Sequence, residues 1–256
     1  MSKPQGCNFC LIPQEKTTES FKKLHGDLLH TLNIPGVPNT FTVLQDVVPI
    51  AELGAHILLM PNLHDISLAS VADKEGMLVA KDAIVEALQK HFPDNPIFTF
   101  EHGPGFIQGE SIACGGCHMD HAHGHIMVLP KKTSFDMIQQ RMEEILILNG
   151  WKNPRSHAVE SIHIFTDSVS FAGMQPYLHI GMIFPEGKTI SYTYVQKSKS
   201  FNVPSQLLRL VVADVVYDQK DPTYWHWRDV ESGLTSPDRM HELKTNVTAF
   251  RKLTGF

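Results

Sequence analysis

The sequence predicts an α+β protein. Two stretches carry helical periodicity, Asp73 to Phe92 and Phe135 to Leu148, and short apolar runs of strand length lie around and after them. A third observation is a histidine row, His121, His123 and His125, that leads into the apolar run Ile126 to Leu129. With 256 residues the chain can bury a sizeable core, as one large domain or two small ones. A boundary near residue 150 separates residues 1–150 from an α+β extension, residues 151–256, expected to pack on them.

The elements read as follows. Lys16 to Leu32 carries a short helix and Phe41 to Leu44 a strand, with Asp46-Val47-Val48-Pro49 and Glu52-Leu53-Gly54 as the loop after it. His56 to Met60 is a buried strand stopped by Pro61. Met77, Val79, Ala80, Ile84, Val85 and Leu88 give the helix over Asp73 to Phe92 its apolar face. Pro96 to Phe100 is a strand, and Glu101-His102-Gly103-Pro104-Gly105 is a loop toward the histidine row. The helix over Phe135 to Leu148 ends at Asn149-Gly150, a C-cap. Ser161 to Phe165, Tyr177 to Phe184 and Ile190 to Gln196 are three strands, with Glu186-Gly187-Lys188 turning between the last two. Pro204 to Tyr217 is a helix with proline in its first turn, and from Asp218 the tail is mixed and polar.

Charge limits the partners. Lysine and arginine number 22 against 27 aspartate and glutamate, a formal net charge of -5. That gives no footprint for a nucleic-acid polymer, although a small anionic substrate needs only local donors. No apolar signal core opens the chain and no run approaches the roughly 18 apolar residues of a membrane span. The expectation is a soluble, cytoplasmic protein with no membrane partner.

The four cysteines fall as Cys7-x-x-Cys10 and Cys114-x-x-Cys117, too sparse for a disulfide scaffold and suited to thiolate metal ligation. Cys7 and Cys10 can bind one tetrahedral zinc, with His64 and His121 available as nitrogen ligands; the bland alternative is two buried thiols. Cys114 and Cys117, with adjacent His118, offer a rival metal site or simply shape the loop.

Residues two apart on a strand face the same way, so His121, His123 and His125 form one imidazole row. With His121 on zinc, His123 faces the same pocket and can attack phosphorus, and Gly124 beside it leaves room for a phosphate. That role needs a neutral nitrogen on His123, its other nitrogen bonded to a carbonyl or acid. His125 and His56 can donate to nonbridging phosphate oxygens, and His118 can bond a phosphate or leaving group. The competing readings are a further metal ligand for His123 and core hydrogen bonding for His125 and His56.

His121-Ala122-His123-Gly124-His125-Ile126-Met127 resembles the histidine triad superfamily, whose mark is three alternate histidines followed by apolar residues. The segment from Gly54 to His64 is similar to that family's paired strand and following histidine, and Asp46-Val47-Val48-Pro49 to the segment whose acid holds ribose hydroxyls. The likeness covers roughly residues 5 to 131. It implies an antiparallel sheet with flanking helices, His123 as nucleophile, His125 and His56 as its phosphate-side supports, and Asp46 as the ribose contact. The set Cys7, Cys10, His64 and His121 resembles the structural zinc site of the zinc-bearing branches, including galactose-1-phosphate uridylyltransferases. Those transferases usually carry His-Pro-His-Gly-Gln; Gly124 matches them, and His125 in place of glutamine favours the hydrolase-like branches. His118 stands where nucleotide-hydrolysing relatives commonly carry serine. A homodimer is implied, unless the C-terminal half takes the same sheet edge.

In that half, Lys197 to Ser200 followed by Ser205, Gln206 and Arg209 brings hydroxyls and positive charge to a helix start, either a phosphate cap or a solvated loop. Tyr224-Trp225-His226-Trp227 either stacks on a base or closes an apolar seam. The leading expectation is a nucleotide hydrolase that forms a nucleotidyl-histidine and releases a nucleoside monophosphate. The alternatives are a nucleotidyltransferase or phosphorylase using phosphate or a sugar phosphate as acceptor, and a zinc-stabilised nucleotide-binding protein without turnover.

Overall fold

The computed structural model describes residues 7–11, 30–46, 48–51, 54–115, 121–161, 174–226 and 236–256. Its centre is an antiparallel sheet built from β1 (His30–Thr31), β2 (Phe41–Gln45), β3 (His56–Pro61), β4 (Ile97–Gly103), β7 (Gly124–Val128), β8 (Ala158–Ser161), β9 (Tyr177–Ile183) and β10 (Thr189–Val195). The spatial order is β1-β2-β3-β7-β4-β9-β10-β8. A separate hairpin pairs β5 (Gly105–Ile107) with β6 (Glu110–Ile112). Gln108 and Gly109 turn it, both at positive φ, as a two-residue turn matched to strand twist requires.

Helices cover both faces, which makes the architecture α+β. The helix α1 (Asn8–Leu11) is a single turn. In α2 (Lys74–His91) the Asp73 side chain caps the start by accepting from Gly76 N–H at 2.8 Å, and Met77, Ala80, Ile84, Val85 and Leu88 face inward. They pack on Val43, Ile57, Leu59, Ile97, Ile126 and Val128 of the sheet. The opposite face holds Phe98, Phe100, Met127, Leu178, Ile180 and Met182 under α3 (Phe135–Leu148) and α4 (Leu207–Tyr217). Alternation along each strand separates these two cores. A short helix α5 (Pro222–Trp225) and a long one, α6 (Pro237–Thr254), complete the chain. Among the described residues no helix is long and apolar enough to cross a membrane.

Several sequence expectations change. The helix over Lys16 to Leu32 lies mostly outside the described residues, and its end is a strand: His30 and Thr31 pair with Gln45 and Leu44, which satisfies the outer edge of β2. The loop expected over residues 101–105 is strand as far as Gly103, because β9 claims the backbone of β4 from Ile97 to Gly103. Glycine fits there because a Cβ would stand 2.2 Å from the Tyr177 ring. The fourth helix starts at Leu207 rather than Pro204. The polar tail holds α6, capped by Ser236, opened by Pro237 and ended by Gly255 at φ 73°, with Leu243, Val247 and Phe250 buried. The strand expected at Ser161 to Phe165 falls outside the described residues after Ser161, which ends β8. Seven register pairs join β9 to β4, so the C-terminal half extends the sheet.

On the α2 face, β4 buries Glu101, whose carboxylate accepts from Leu68 N–H at 2.7 Å and Tyr177 O–H at 2.5 Å. Burial pushes this carboxyl up to about 7 from its ordinary 4.5, against the opposing pull of those donors and Lys74. Between those values the folded chain keeps a proton that the unfolded chain releases, so stability falls as pH rises, by about 3 kcal/mol in all. In Glu101→Gln the amide can still accept from Leu68 and meet Tyr177. Its urea midpoint is expected to gain on wild type between about pH 5 and pH 7.5. Parallel pH curves for the two proteins would refute this.

Candidate active site and metal centre

The run that enters β7 does two jobs. Ala122 N–H donates to Asp65 O at 2.6 Å, so the backbone there is tied to the loop after β3 and not to a sheet neighbour. His121 and His123 therefore precede the strand, which begins at Gly124, and His125 alone of the row lies within it. The rings still gather: His123 and His125 have centroids 5.0 Å apart.

His121 is turned to α1. Its Nδ1 lies 3.5 Å from Cys7 Sγ and 3.4 Å from Cys10 Sγ, and Cys10 Sγ lies 3.3 Å from His64 Nδ1. The four ligand atoms sit within 4.8 Å of one another. A tetrahedral zinc with ordinary bond lengths needs S to N edges of about 3.5 Å, so the donor set fits the ion in type, number and spacing. The tautomer fits too. His121 Nε2–H donates to Pro61 O at 2.8 Å, leaving Nδ1 as the ligand nitrogen, and burial lowers the imidazole to about 4.

His123 is arranged the other way round. Its Nδ1–H donates to His121 O at 2.9 Å, which leaves the Nε2 lone pair free of that bond. Burial lowers its pKa and keeps it neutral. Phe9, carried on α1 between the two cysteines, packs edge-on against His121 and His123 at 5.9 and 5.3 Å. The proposed metal turn thus shoulders the proposed nucleophile.

Behind His123 lies a buried polar cluster. His56 Nε2 and His125 Nδ1 are 2.9 Å apart, and Asp46 Oδ2 is 3.5 Å and 3.8 Å from those two atoms. Burial brings His56 to about 3 and lowers His125 well below the ordinary range. Arg209, among apolar residues in the first turns of α4, donates from Nη1 to Asp46 Oδ2 at 2.7 Å, from Nε to Trp225 O at 2.8 Å and from Nη2 to Val48 O. Val48 N–H bonds the other carboxylate oxygen at 2.8 Å. Burial alone would raise the Asp46 carboxyl; Arg209 and then His56 outweigh it and hold it low. Asp46, His56 and His125 have metal-ligand spacing, yet Asp46 Oδ2 already holds the Arg209 guanidinium at 2.7 Å and the two imidazoles are engaged with each other.

Both carboxylate oxygens of Asp46, the expected ribose contact, thus face protein donors. Ser205, Gln206 and Arg209, expected to share one phosphate cap, are not gathered into one. Ser205 is exposed, Gln206 is buried with its N–H on Gly115 O, and all three Arg209 nitrogens face Asp46, Val48 and Trp225. The next backbone donors of that helix start are also taken, Leu207 N–H by Pro204 O at 3.2 Å and Leu208 N–H by His102 Nε2 at 3.2 Å. Trp225 is buried against the α4 core, and Tyr224 lies under the Arg239 guanidinium at 4.2 Å, so both close a seam. Cys117 and His118 lie outside the described residues; Cys114 is a buried free thiol, pushed up by burial and then by Glu101.

Sequence reading missed two contributors. Phe100 stacks on His125 at 4.1 Å with rings 9° apart. His102 shares that face of β4, and the register that pairs Phe100 with His125, continued two residues, sets His102 opposite His123. Burial lowers His102 to about 3, with His123 next among the causes. The alternation Phe98, Phe100, His102 was the available signal, hidden because residues 101–105 read as a loop.

No protein-family model matches the chain, and a comparison with curated proteins found no match. Among solved structures it is similar to a GalT-like protein from Arabidopsis thaliana, with 13% identity over 66% of this chain and 79% of that one, TM-score 0.38. It is also similar to an ADP-glucose phosphorylase from Arabidopsis thaliana, with 14% identity over 77% of this chain and 83% of that one, TM-score 0.43.

Proposed function

We propose that the chain is a nucleotidyl-transferring enzyme of histidine-triad type. His123 Nε2 attacks the α phosphorus of a nucleotide derivative, a P–N bond forms, the bond to the distal group breaks, and that group leaves with its electron pair and takes up a proton. An acceptor oxygen then attacks the same phosphorus, a P–O bond forms as the P–N bond breaks, and His123 leaves as the neutral imidazole while the acceptor gives up its proton. Water as acceptor yields a nucleoside monophosphate and makes the enzyme a hydrolase; phosphate or a sugar phosphate makes it a phosphorylase or transferase. The observation that carries this reading is the hydrogen bond from His123 Nδ1–H to His121 O, which makes Nε2 the lone-pair nitrogen. His56 and His125 flank the transferred phosphoryl group in this scheme. Zinc held by Cys7, Cys10, His64 and His121 would cross-link α1 to the two histidine segments, its four ligands closing the tetrahedron. A reducing cytoplasm would keep those thiols available.

The test is intact-protein mass spectrometry after rapid quenching with ATP, UDP-glucose or adenosine phosphoramidate, under conditions that preserve acid-labile adducts. A nucleotide-sized increment on wild type, cleared by water or only by added phosphate or sugar phosphate, supports the reading and names the acceptor. Turnover without any increment overturns it.

A further inference from the structure

Asp46 and Arg209 stand 163 positions apart, yet they make one buried ion pair against the histidine cluster. We infer that Arg209 is a positioning residue: it holds the Asp46 carboxylate against His56, this fixes the tautomers of His56 and His125, and His125 is left as a one-way donor to the transferred phosphoryl oxygen. The inference rests on the proposed nucleotidyl transfer for its functional consequence, and on geometry alone for the tautomers.

Each neutral imidazole carries one N–H, and the 2.9 Å contact between His56 Nε2 and His125 Nδ1 needs one donor. If His125 donated from Nδ1, His56 would carry its proton on Nδ1. That atom is buried without a partner among the described residues, and its Nε2 lone pair would face the Asp46 carboxylate. An orphaned buried N–H and a lone pair against an anion are both costly. The reverse arrangement removes the orphaned N–H, turns the N–H nearest Asp46 toward it, and leaves the accepting lone pair on His125 Nδ1, farther from Oδ2 at 3.8 Å. His56 Nε2–H donates to His125 Nδ1 with Asp46 Oδ2 3.5 Å away, and only a lone pair stays unpaired on His56. The proton of His125 is then on Nε2, the nitrogen that neither His56 nor Asp46 engages.

The choice depends on where the carboxylate points, and Arg209 settles that. Nη1 takes the oxygen nearest His56, Val48 N–H takes the other, and the guanidinium is itself anchored on the carbonyls of Val48 and Trp225. Stacking of Phe100 on His125 then limits rotation of the donor ring. The fork geometry matters here, and a lysine ammonium cannot reproduce three fixed directions.

The experiment is heteronuclear NMR of the imidazole nitrogens in wild type, Asp46→Asn and Arg209→Lys, with adduct formation from UDP-glucose, ATP or adenosine phosphoramidate followed in parallel. The expected wild-type spectrum has His56 and His125 each protonated on Nε2, with His125 Nδ1 bare. Asp46→Asn is expected to show mixed tautomers and to slow adduct formation at saturation by at least about tenfold, with KM little changed. Arg209→Lys is expected to fall between. A wild-type His125 protonated on Nδ1 overturns the inference without any variant. So does unchanged tautomer and rate in a folded Asp46→Asn, or an Arg209→Lys that raises KM and leaves the saturated rate alone, since that would make Arg209 a substrate ligand. Absence of any wild-type adduct would instead sink the proposed transfer chemistry and leave the tautomer result standing.

Discussion

Replacing His123 with alanine is expected to lower turnover by at least about 10³-fold while metal content and fold are kept. The side chain is only half-buried, and the candidate metal ligands are four other residues. The change removes one hydrogen bond, to His121 O, and an edge contact with Phe9, so its stability cost is on the order of 1 kcal/mol. Chemistry depends on it far more. His56 and His125 are engaged with each other and with Asp46, and His102 Nε2 is bonded to Leu208 N–H. None of the three offers a replacement lone pair at the same place. Steady-state kcat, metal analysis and a thermal melt on one preparation check the prediction. Full activity in His123→Ala would remove this residue from the nucleophile's place, and lost metal would show that the two sites are not separable.

How far this site was legible depends on the range of the interactions. Features internal to a segment were open to reading: the inward face of α2, except Val79, which was expected there and is exposed, the helix over Phe135 to Leu148, the apolar run of β3, and the strands β9 and β10. The cysteine pair and the histidine spacing suggested four metal ligands, and these do converge within 4.8 Å. Long-range pairing was hidden. Nothing near Arg209 announces that its partner is Asp46, and a basic residue at a helix start naturally suggests an anion site. The better clue was burial: an arginine among Leu207, Leu208, Val211 and Val212 has to find an internal anion. Likewise α6 is polar on most of its surface, yet its buried residues Leu243, Val247, Phe250 and Thr254 keep the i, i+4, i+7, i+11 spacing of one helix face, and Ser236, Pro237 and Gly255 marked its ends, a signal the polar tail masked.

Sequence also could not say that β9 would lie beside β4. Its consequence is that the edge of β4 is occupied within the chain, from Ile97 to Gly103. The same half of the sequence that fills this edge also delivers α4, and with it Arg209, to the face that carries His56 and His125. The C-terminal half therefore contributes to the histidine cluster itself as well as to the sheet.

Cys10→Ser should lose the metal, and with it the packing of α1 against His121 and His123. Cys10 Sγ is the donor closest to both imidazoles, 3.3 Å from His64 Nδ1 and 3.4 Å from His121 Nδ1, so its loss opens the tetrahedron at its centre. A neutral serine oxygen is a poor replacement for a thiolate on zinc. The short α1 has little to hold it otherwise, since four residues form no stable helix alone. Phe9 would then leave both histidines, and Leu44, Leu58 and Met60 would lose their cover. Apolar exposure plus the lost cross-link should cost about 3 kcal/mol or more, roughly 6–12 °C in Tm for a chain of this size. Adduct formation should slow as well, because His123 loses the ring against which it is packed. Metal analysis is the first readout, expected to fall from one zinc per chain in wild type to a small fraction. Cys114→Ser is the control: that thiol is buried and held in its neutral form, and its replacement should leave the zinc in place. Zinc retained in Cys10→Ser, or lost only in Cys114→Ser, would move the metal to the other cysteine pair.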